Sequence, residues 1–259
     1  MSKSMSKSMS KSIVITKETI KRLLKDIKDI LKEPLNSEGI YYQHDESDML
    51  KGKAMIVGQK GTPYFGGFYF FDITFPSQYP YSPPKVSFCT HGDGVRFNPN
   101  LYTNGKVCVS ILNTWVGEQW SSCQTIRSVL LALSTLLCDN PLLNEPGVSS
   151  THFEVSKYNN VIEYKNIEIA ILYMLTKKEG YYPTSGFDCF ENSMLKEFQK
   201  NADDIEKVIT TNLELLPNPL LIKISIFRFQ SILDYTYLLK LFKDVSLSFR
   251  IPNVITVET

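Results

Sequence analysis

The run Phe68-Tyr69-Phe70-Phe71-Asp72-Ile73-Thr74-Phe75 constrains the fold of this chain more than any other stretch. Aromatic and β-branched side chains pack well on a half-buried pleated surface, so the run, bounded by Gly66-Gly67, predicts a strand. Two weaker runs flank it, Lys53 to Val57 (ending at Gly58) and Lys85 to Cys89. Gly61-Thr62-Pro63-Tyr64 and Gly66-Gly67 read as turns. Runs this close, joined by short turns, fit an antiparallel meander. The aromatic residues read as core rather than a base-stacking platform, because no basic residues interleave with them.

Helical periodicity brackets this strand region. Over Thr16 to Lys32, Ile20, Leu23, Leu24, Ile27, Ile30 and Leu31 recur at i, i+3, i+4 spacing and predict one apolar face. Thr16 can cap the helix, Glu18 suits its first turn, and Pro34 stops it. Lys17, Lys21, Arg22, Lys25 and Lys28 decorate the other side, which reads as a solvated face unless a partner uses it. Cys123 to Asp139 predicts a second helix, with Ile126, Val129, Leu130, Leu133, Leu136 and Leu137 as its stripe and Asn140-Pro141 as its stop. A third helical region is expected from about Ser150 to Lys177. Two more, Phe190 to Ile209 and Ile224 to Phe242, are expected around Pro217-Asn218-Pro219.

The 259 residues suffice for a core with an extension. The reading is an α+β protein in three parts: a low-complexity tail over 1–15, a core domain over 16–177 and a helical C-terminal extension over 178–259. The net charge of +1 offers no argument for nucleic acid or anionic membrane as a partner. Leu213 to Phe242 is interrupted by Lys223, Arg228 and Asp234 and does not read as a membrane span; no signal peptide is expected. The cysteines are Cys89, Cys108, Cys123, Cys138 and Cys189, an odd number without a Cys-x-x-Cys pair. Neither a disulfide framework nor a zinc site is indicated, and no metal or other cofactor is expected. Reduced thiols suit an intracellular compartment, cytoplasmic or nuclear.

One cysteine stands apart. Asn98-Pro99 and Asn104-Gly105 are turn signals just ahead of Cys108, and the apolar run Val109 to Leu112 follows it. That arrangement places a thiol on irregular backbone at the edge of a core, where it can be both reachable and held still. Asn100 carries an amide that can point to the same place. By spacing alone, Cys108 reads more readily as a small buried hydrophobe than as a nucleophile. Cys123, expected at a helix N-terminus, is a weak rival nucleophile. A cysteine protease would need a histidine against the thiol, and His44, His91 and His152 stand in no such signature.

The ordered motifs decide in favour of Cys108. Phe97-Asn98-Pro99-Asn100, then Asn104 through Leu112, then Trp120-Ser121 resemble the active-site signature of ubiquitin-conjugating enzymes. Tyr79-Pro80-Tyr81-Ser82-Pro83-Pro84-Lys85-Val86 and Leu136-Leu137-Cys138-Asp139-Asn140-Pro141 resemble that family's flanking motifs. Arg96 to Asn100, Thr114-Trp115-Val116-Gly117 and Asn144-Glu145-Pro146-Gly147 resemble its Z-type subgroup. The resemblance runs from about Thr16 to about Lys200.

It implies the ubiquitin-conjugating fold: an N-terminal helix, an antiparallel meander, an active-site loop and C-terminal helices. It implies that ubiquitin arrives from an activating enzyme as a thioester on Cys108 and passes to a substrate lysine, with or without a ligase. A carrier for a ubiquitin-like modifier and a non-catalytic ubiquitin-binding variant are the alternatives; Cys108 argues against the second. Asn100 is then either an oxyanion donor or a brace of the loop. Asn144 and Glu145 fall where relatives place polar groups beside the cysteine. Lys21 and Lys25 correspond to the docking helix, Tyr81 either to a ligase contact or to simple loop packing, and Ser122 stands where the family has a proline. Asn98 replaces the family's histidine and is expected to remove a loop brace, and Ser110 replaces a common aspartate. The extra residues within Thr114 to Gln119 are expected near the cysteine, where they bear on the choice of acceptor.

Residues Met1 to Ser12 are three copies of Met-Ser-Lys-Ser, too polar to offset the entropy of ordering. The bland reading is a tail without a site; phosphorylation or tethering is the other. Deleting Met1 to Ser12 is expected to leave thermal unfolding and modifier charging unchanged. A clear drop in melting temperature would show the tail to be packed.

Overall fold

The computed structural model describes residues 15–249. The expected tail therefore lies, but for residue 15, outside the described residues, as do residues 250–259 of the extension. Helix α1 (Lys17–Lys32) begins where Thr16 accepts a hydrogen bond from the Thr19 N–H at 3.1 Å. It ends at Lys32, two residues before Pro34, where the Glu33 N–H donates to Asp29 O at 3.1 Å. The buried face is Thr19, Leu23, Asp26 and Ile30, rotated from the expected stripe. Leu24 and Leu31 stand in solvent, Leu31 70% exposed. The reason is Asp26, which Arg22 holds at 2.9 Å while the Tyr79 hydroxyl donates to its other oxygen. A carboxylate so satisfied can be buried, and it turns the helix toward itself.

Strands β1 (Ile40–His44), β2 (Lys51–Val57), β3 (Phe68–Thr74) and β4 (Lys85–Phe88) form an antiparallel meander in chain order. The expected meander is there, with β1 as a strand that the turn-and-run reading did not contain. Phe68, Tyr69, Phe70 and Phe71 are all fully buried. Tyr69 and Phe71 face inward, against Tyr64, Phe88 and Phe97 at centroid distances of 5.5–6.4 Å. Phe70 faces the other way. The Tyr79–Pro80 bond is cis.

Helix α2 spans only Ile126–Ser134, shorter than expected, because Thr125 and Ser128 form a capping box that starts it after Cys123. Helix α3 (Val155–Lys165) continues as a wider, π-helical segment over Asn166–Tyr173. Asn166 in that segment accepts from the Tyr69 hydroxyl at 2.7 Å and donates to Phe65 O at 2.9 Å, fixing the helix to the sheet.

The extension is not purely helical. Helix α4 (Glu191–Leu215) is longer than expected, and the stretch read as a helix from Ile224 instead forms a hairpin, β5 (Leu220–Ile224) with β6 (Phe229–Leu233), before α5 (Tyr235–Phe249). Leu220-Leu221-Ile222-Lys223-Ile224 buries Ile222 and Ile224 in alternation, and Ser231 and Leu233 do the same across the turn. That is the period of a strand, hidden in an apolar run too short to be told from a helix. Glu154 receives the Ser225 and Ile226 N–H groups of the turn at 2.7 and 3.2 Å.

The extension covers the outer face of the sheet. Phe187 stacks on Phe70 at 4.6 Å, with Phe190 and Tyr182 beside it at 6.5 and 6.1 Å. Lys53 donates to Ser185 O at 2.6 Å, and the Tyr41 hydroxyl donates to Glu197 at 2.8 Å. One continuous apolar core runs from Leu23 to Val245. Phe187→Ala is therefore expected to cost about 3–5 kcal/mol in denaturant unfolding. A loss below about 1 kcal/mol would show that the extension does not support the sheet.

Candidate active site

The loop carrying Cys108 is built as a short return from β4. Ser87 bridges to Lys106, Leu101 bridges to Asn98 and to Val107, and the Phe88 N–H donates to Gly105 O at 2.8 Å. Gly105 holds φ +85°, a region that favours glycine, and Asn104 closes the turn by accepting the Lys106 N–H at 3.1 Å. Beneath the loop, the Tyr64 hydroxyl donates to Phe97 O at 2.7 Å and the Tyr158 hydroxyl to Arg96 O at 2.5 Å.

Two asparagines fix the backbone around the thiol. Asn98, fully buried, donates to Leu136 O at 2.7 Å and to the Tyr64 hydroxyl at 3.1 Å, while its Oδ1 accepts the Asn100 N–H at 2.9 Å. The expectation that Asn98 removes a brace is thus corrected: its amide supplies donor and acceptor together, which one neutral imidazole also does. Asn100 donates to Cys108 O at 2.6 Å and accepts the Cys108 N–H on its own carbonyl at 2.9 Å. In this state Asn100 braces the loop. Its Oδ1 is buried without a partner.

Cys108 is 1% exposed. Its backbone is pinned at both N–H and C=O, and its side chain is covered rather than reachable. The segment after it closes on itself. Thr114 Oγ1 accepts the Val109 N–H at 3.0 Å and donates to Val109 O at 3.1 Å; Asn113 accepts the Trp120 N–H at 2.8 Å. Gly117 approaches Ser110 so closely that an added Cβ would lie 3.0 Å from the serine's Cβ. The extra residues thus fold back beside the cysteine, as the sequence suggested, and Trp115 and Val116 face solvent.

The other thiols are poorer nucleophiles or lie elsewhere. Burial, aided by Asp72, pushes Cys89 up to about 12, and burial also raises Cys138. Cys138 follows α2 rather than closing it, and exposed Cys123 lies two residues before the Thr125 cap, not in the first helical turn. Among the described residues no histidine is hydrogen-bonded to Cys108; His44 meets the Tyr42 hydroxyl and His152 the Glu154 N–H. No group of three or more His, Cys, Asp or Glu side chains among them is placed to hold a metal ion. No helix among them is long and apolar enough to cross a membrane.

The residues singled out for docking share a second region. Lys21 and Lys25 are exposed on α1, Tyr81 is 71% exposed, and Ser122 lies on the surface. Arg22, expected on a solvated face, joins them: it donates to Ser122 O at 2.6 Å and to Gln124 O. Trp120 donates to Pro80 O at 2.6 Å. The i, i+4 spacing of Arg22 from Asp26 is the sequence signal that points to it. Asn144 and Glu145 are half-buried at the end of the turn Pro141–Asn144, and neither bonds to the cysteine loop.

The sequence matches the family model described as Ubiquitin-conjugating enzyme over residues 22–171. Ubiquitin-conjugating enzyme E2 Z of Xenopus tropicalis is 39% identical over 224 residues, covering 84% of this chain and 69% of that protein. The Homo sapiens E2 Z is 42% identical over 164 residues, covering 62% of this chain and 46% of that protein. A solved Toxoplasma gondii ubiquitin conjugating enzyme E2 domain is similar at 31% identity and a TM-score of 0.46, covering 58% of this chain and 98% of the solved one. With its N-terminal helix, antiparallel meander, cysteine loop and trailing helices, the chain belongs to the ubiquitin-conjugating enzyme family and is similar within it to the Z-type members.

Proposed function

We propose that the chain carries ubiquitin as a thioester on Cys108 and transfers it to a lysine amine. The observation that carries this reading is the bracing of Cys108, alone among the five thiols, by the Asn98–Asn100 segment. The Cys108 thiolate attacks the modifier's C-terminal thioester on an activating enzyme, and the activating enzyme's thiolate leaves. A lysine amine then attacks the new thioester carbonyl, the Cys108 thiolate departs, and the ammonium proton passes to water. Family membership supports an activating enzyme, a ligase and a protein substrate as partners. Lys21, Lys25, Tyr81 and Ser122 are the proposed docking residues, and Asn144 and Glu145 the proposed polar flank. Free thiols support an intracellular setting, cytoplasmic or nuclear.

The amide of Asn100 has a second N–H beyond the one on Cys108 O. We assign it to the oxyanion of the tetrahedral intermediate, so that one side chain both braces the loop and stabilises charge.

Two experiments test this reading. Cys108→Ser is expected to replace the reductant-labile adduct with a reductant-resistant, hydroxylamine-sensitive ester or with none, while Cys123→Ser charges normally. An ordinary thioester surviving in Cys108→Ser sinks the assignment. Asn100→Ala is expected to lower unfolding stability by about 1–3 kcal/mol through the lost brace. Single-turnover discharge should fall by on the order of 10²–10³, with loading much less affected. Discharge that falls only in step with loading and melting removes the donor role and leaves the brace.

A further inference from the structure

Arg96 stands at the entry to the cysteine loop, and its guanidinium lies over two aromatic rings. The centroid of Tyr102, on the same loop, is 3.8 Å from it, and that of Phe227 is 4.6 Å away. Among the described residues Arg96 forms no salt bridge, and its Nε is buried without a partner. The two rings and one hydrogen bond, donated to Pro99 O, therefore hold the guanidinium. A planar guanidinium stacks on ring faces, and the attraction grows as water is excluded. Phe227 comes from far along the chain. It sits in the turn between β5 and β6, beyond the residues 22–171 that match the family model. Two groups at the start of α3 seat that turn. Tyr158 meets the Phe227 ring edge-on at 5.7 Å, and Glu154, 2% exposed, accepts the Ser225 and Ile226 N–H groups at 2.7 and 3.2 Å. The Tyr158 hydroxyl also donates to Arg96 O at 2.5 Å, so main chain and side chain of Arg96 are held by one assembly.

Pro99 O and the Asn100 N–H belong to one peptide unit. Arg96 holds the oxygen, and Asn98 Oδ1 accepts the N–H at 2.9 Å. A planar peptide fixed at both ends sets the direction in which Asn100 leaves it. Asn100 is the residue whose amide donates to Cys108 O at 2.6 Å. We propose that Phe227 is a positioning residue for acyl transfer: by stacking on Arg96 it keeps the Pro99–Asn100 peptide, and through it the Asn100 amide, in register with Cys108. The inference rests on the thioester function proposed for Cys108. It adds a determinant from the C-terminal extension to a site whose reacting groups all lie before it. Without the Phe227 ring, the guanidinium keeps one stacking partner and competes with water for the other face, so Pro99 O loses its donor part of the time. The cost falls on the chemical step, where a small misplacement of an aligned group is expensive, and not on the binding of lysine. The working feature of Arg96 is its stacked plane, not its charge alone.

The test is single-turnover discharge of the preloaded full chain over a range of lysine concentrations. Phe227→Leu retains apolar bulk but removes the ring face. It is expected to lower the maximal rate by roughly three- to tenfold with the KM for lysine unchanged. Phe227→Tyr retains the ring and should discharge at the parent rate. Arg96→Lys keeps the charge without the stacking plane and should slow discharge at least as much as Phe227→Leu. The double variant should be no slower than Arg96→Lys alone, because residues that act as one unit do not add. Phe242→Leu, which loosens the packing of α5 on Phe198 of α4, should discharge normally. Parent-like discharge in Phe227→Leu overturns the proposal, as does a multiplied loss in the double variant. Equal slowing in Phe242→Leu also overturns it, because the extension then only stabilises the fold. Parent-like discharge in Arg96→Lys assigns the effect to charge and overturns the stacking role. Absence of discharge to any amine in the parent protein instead removes the thioester function on which the proposal depends.

Discussion

Strand β3 must be covered on both faces, and most of the architecture follows from that requirement. An antiparallel sheet commonly keeps one face solvated, but here Tyr69 and Phe71 point inward while Phe70 points out, and all three are fully buried. Leaving Phe70 in water would forfeit on the order of 2–3 kcal/mol of burial. Phe187 and Phe190 supply the cover by stacking on it. The segment that brings them also brings α4, and α4 brings α5, whose Phe242 meets Phe198. The extension is thus part of the same core as the meander. The family match ends at residue 171, close to the boundary expected near residue 178, but packing continues across it.

The same core reaches the cysteine loop from below. Tyr64 and Tyr158 donate to the carbonyls of Phe97 and Arg96, and Arg96 lies between the rings of Tyr102 and Phe227 at 3.8 and 4.6 Å. Phe227 belongs to the turn of the extension's hairpin, and Arg96 in turn donates to Pro99 O. Asn98 and Asn100 sit on that footing. Their hydrogen bonds are buried, where an unpaired partner is costly, so the loop has one low-energy arrangement rather than several. The extension, which carries none of the reacting groups, therefore helps to set the backbone on which the nucleophile stands.

What could be read in advance was whatever depends on near neighbours. The Thr16 cap, the turns at Asn98-Pro99 and Asn104-Gly105, the aromatic strand and the cysteine motif are all local patterns. What could not be read depends on distant partners. Asp26 is buried because Tyr79, 53 positions away, donates to it, and that pairing rotates α1 off its apolar stripe. Asn98 is a brace because Leu136 O, 38 positions away, lies within reach of its amide. The hairpin β5–β6 was missed for a different reason: five-residue apolar segments satisfy a helical and a strand period almost equally, and only the seating of Ile222 and Ile224 against α3 decides between them.

The burial of Cys108 then acquires a mechanical meaning. An acyl donor can reach a thiol that is 1% exposed only if neighbouring chain shifts. The chain before the cysteine is poorly suited to move, being bridged to β4 and pinned by buried asparagine hydrogen bonds. The chain after it is held differently. From Ser110 to Trp120 no residue pairs with the sheet, and the turn is closed by Thr114, Asn113 and Gln119 side chains bonding to backbone. Several of these bonds are part-exposed, and each contributes only about 0.5–1.5 kcal/mol net. The contacts on this side of the cysteine are therefore lighter and more exposed than those upstream. The loop's hydrogen bonds thus differ on the two sides of the cysteine: buried amides fix the backbone upstream, and side-chain contacts nearer to solvent close the turn downstream.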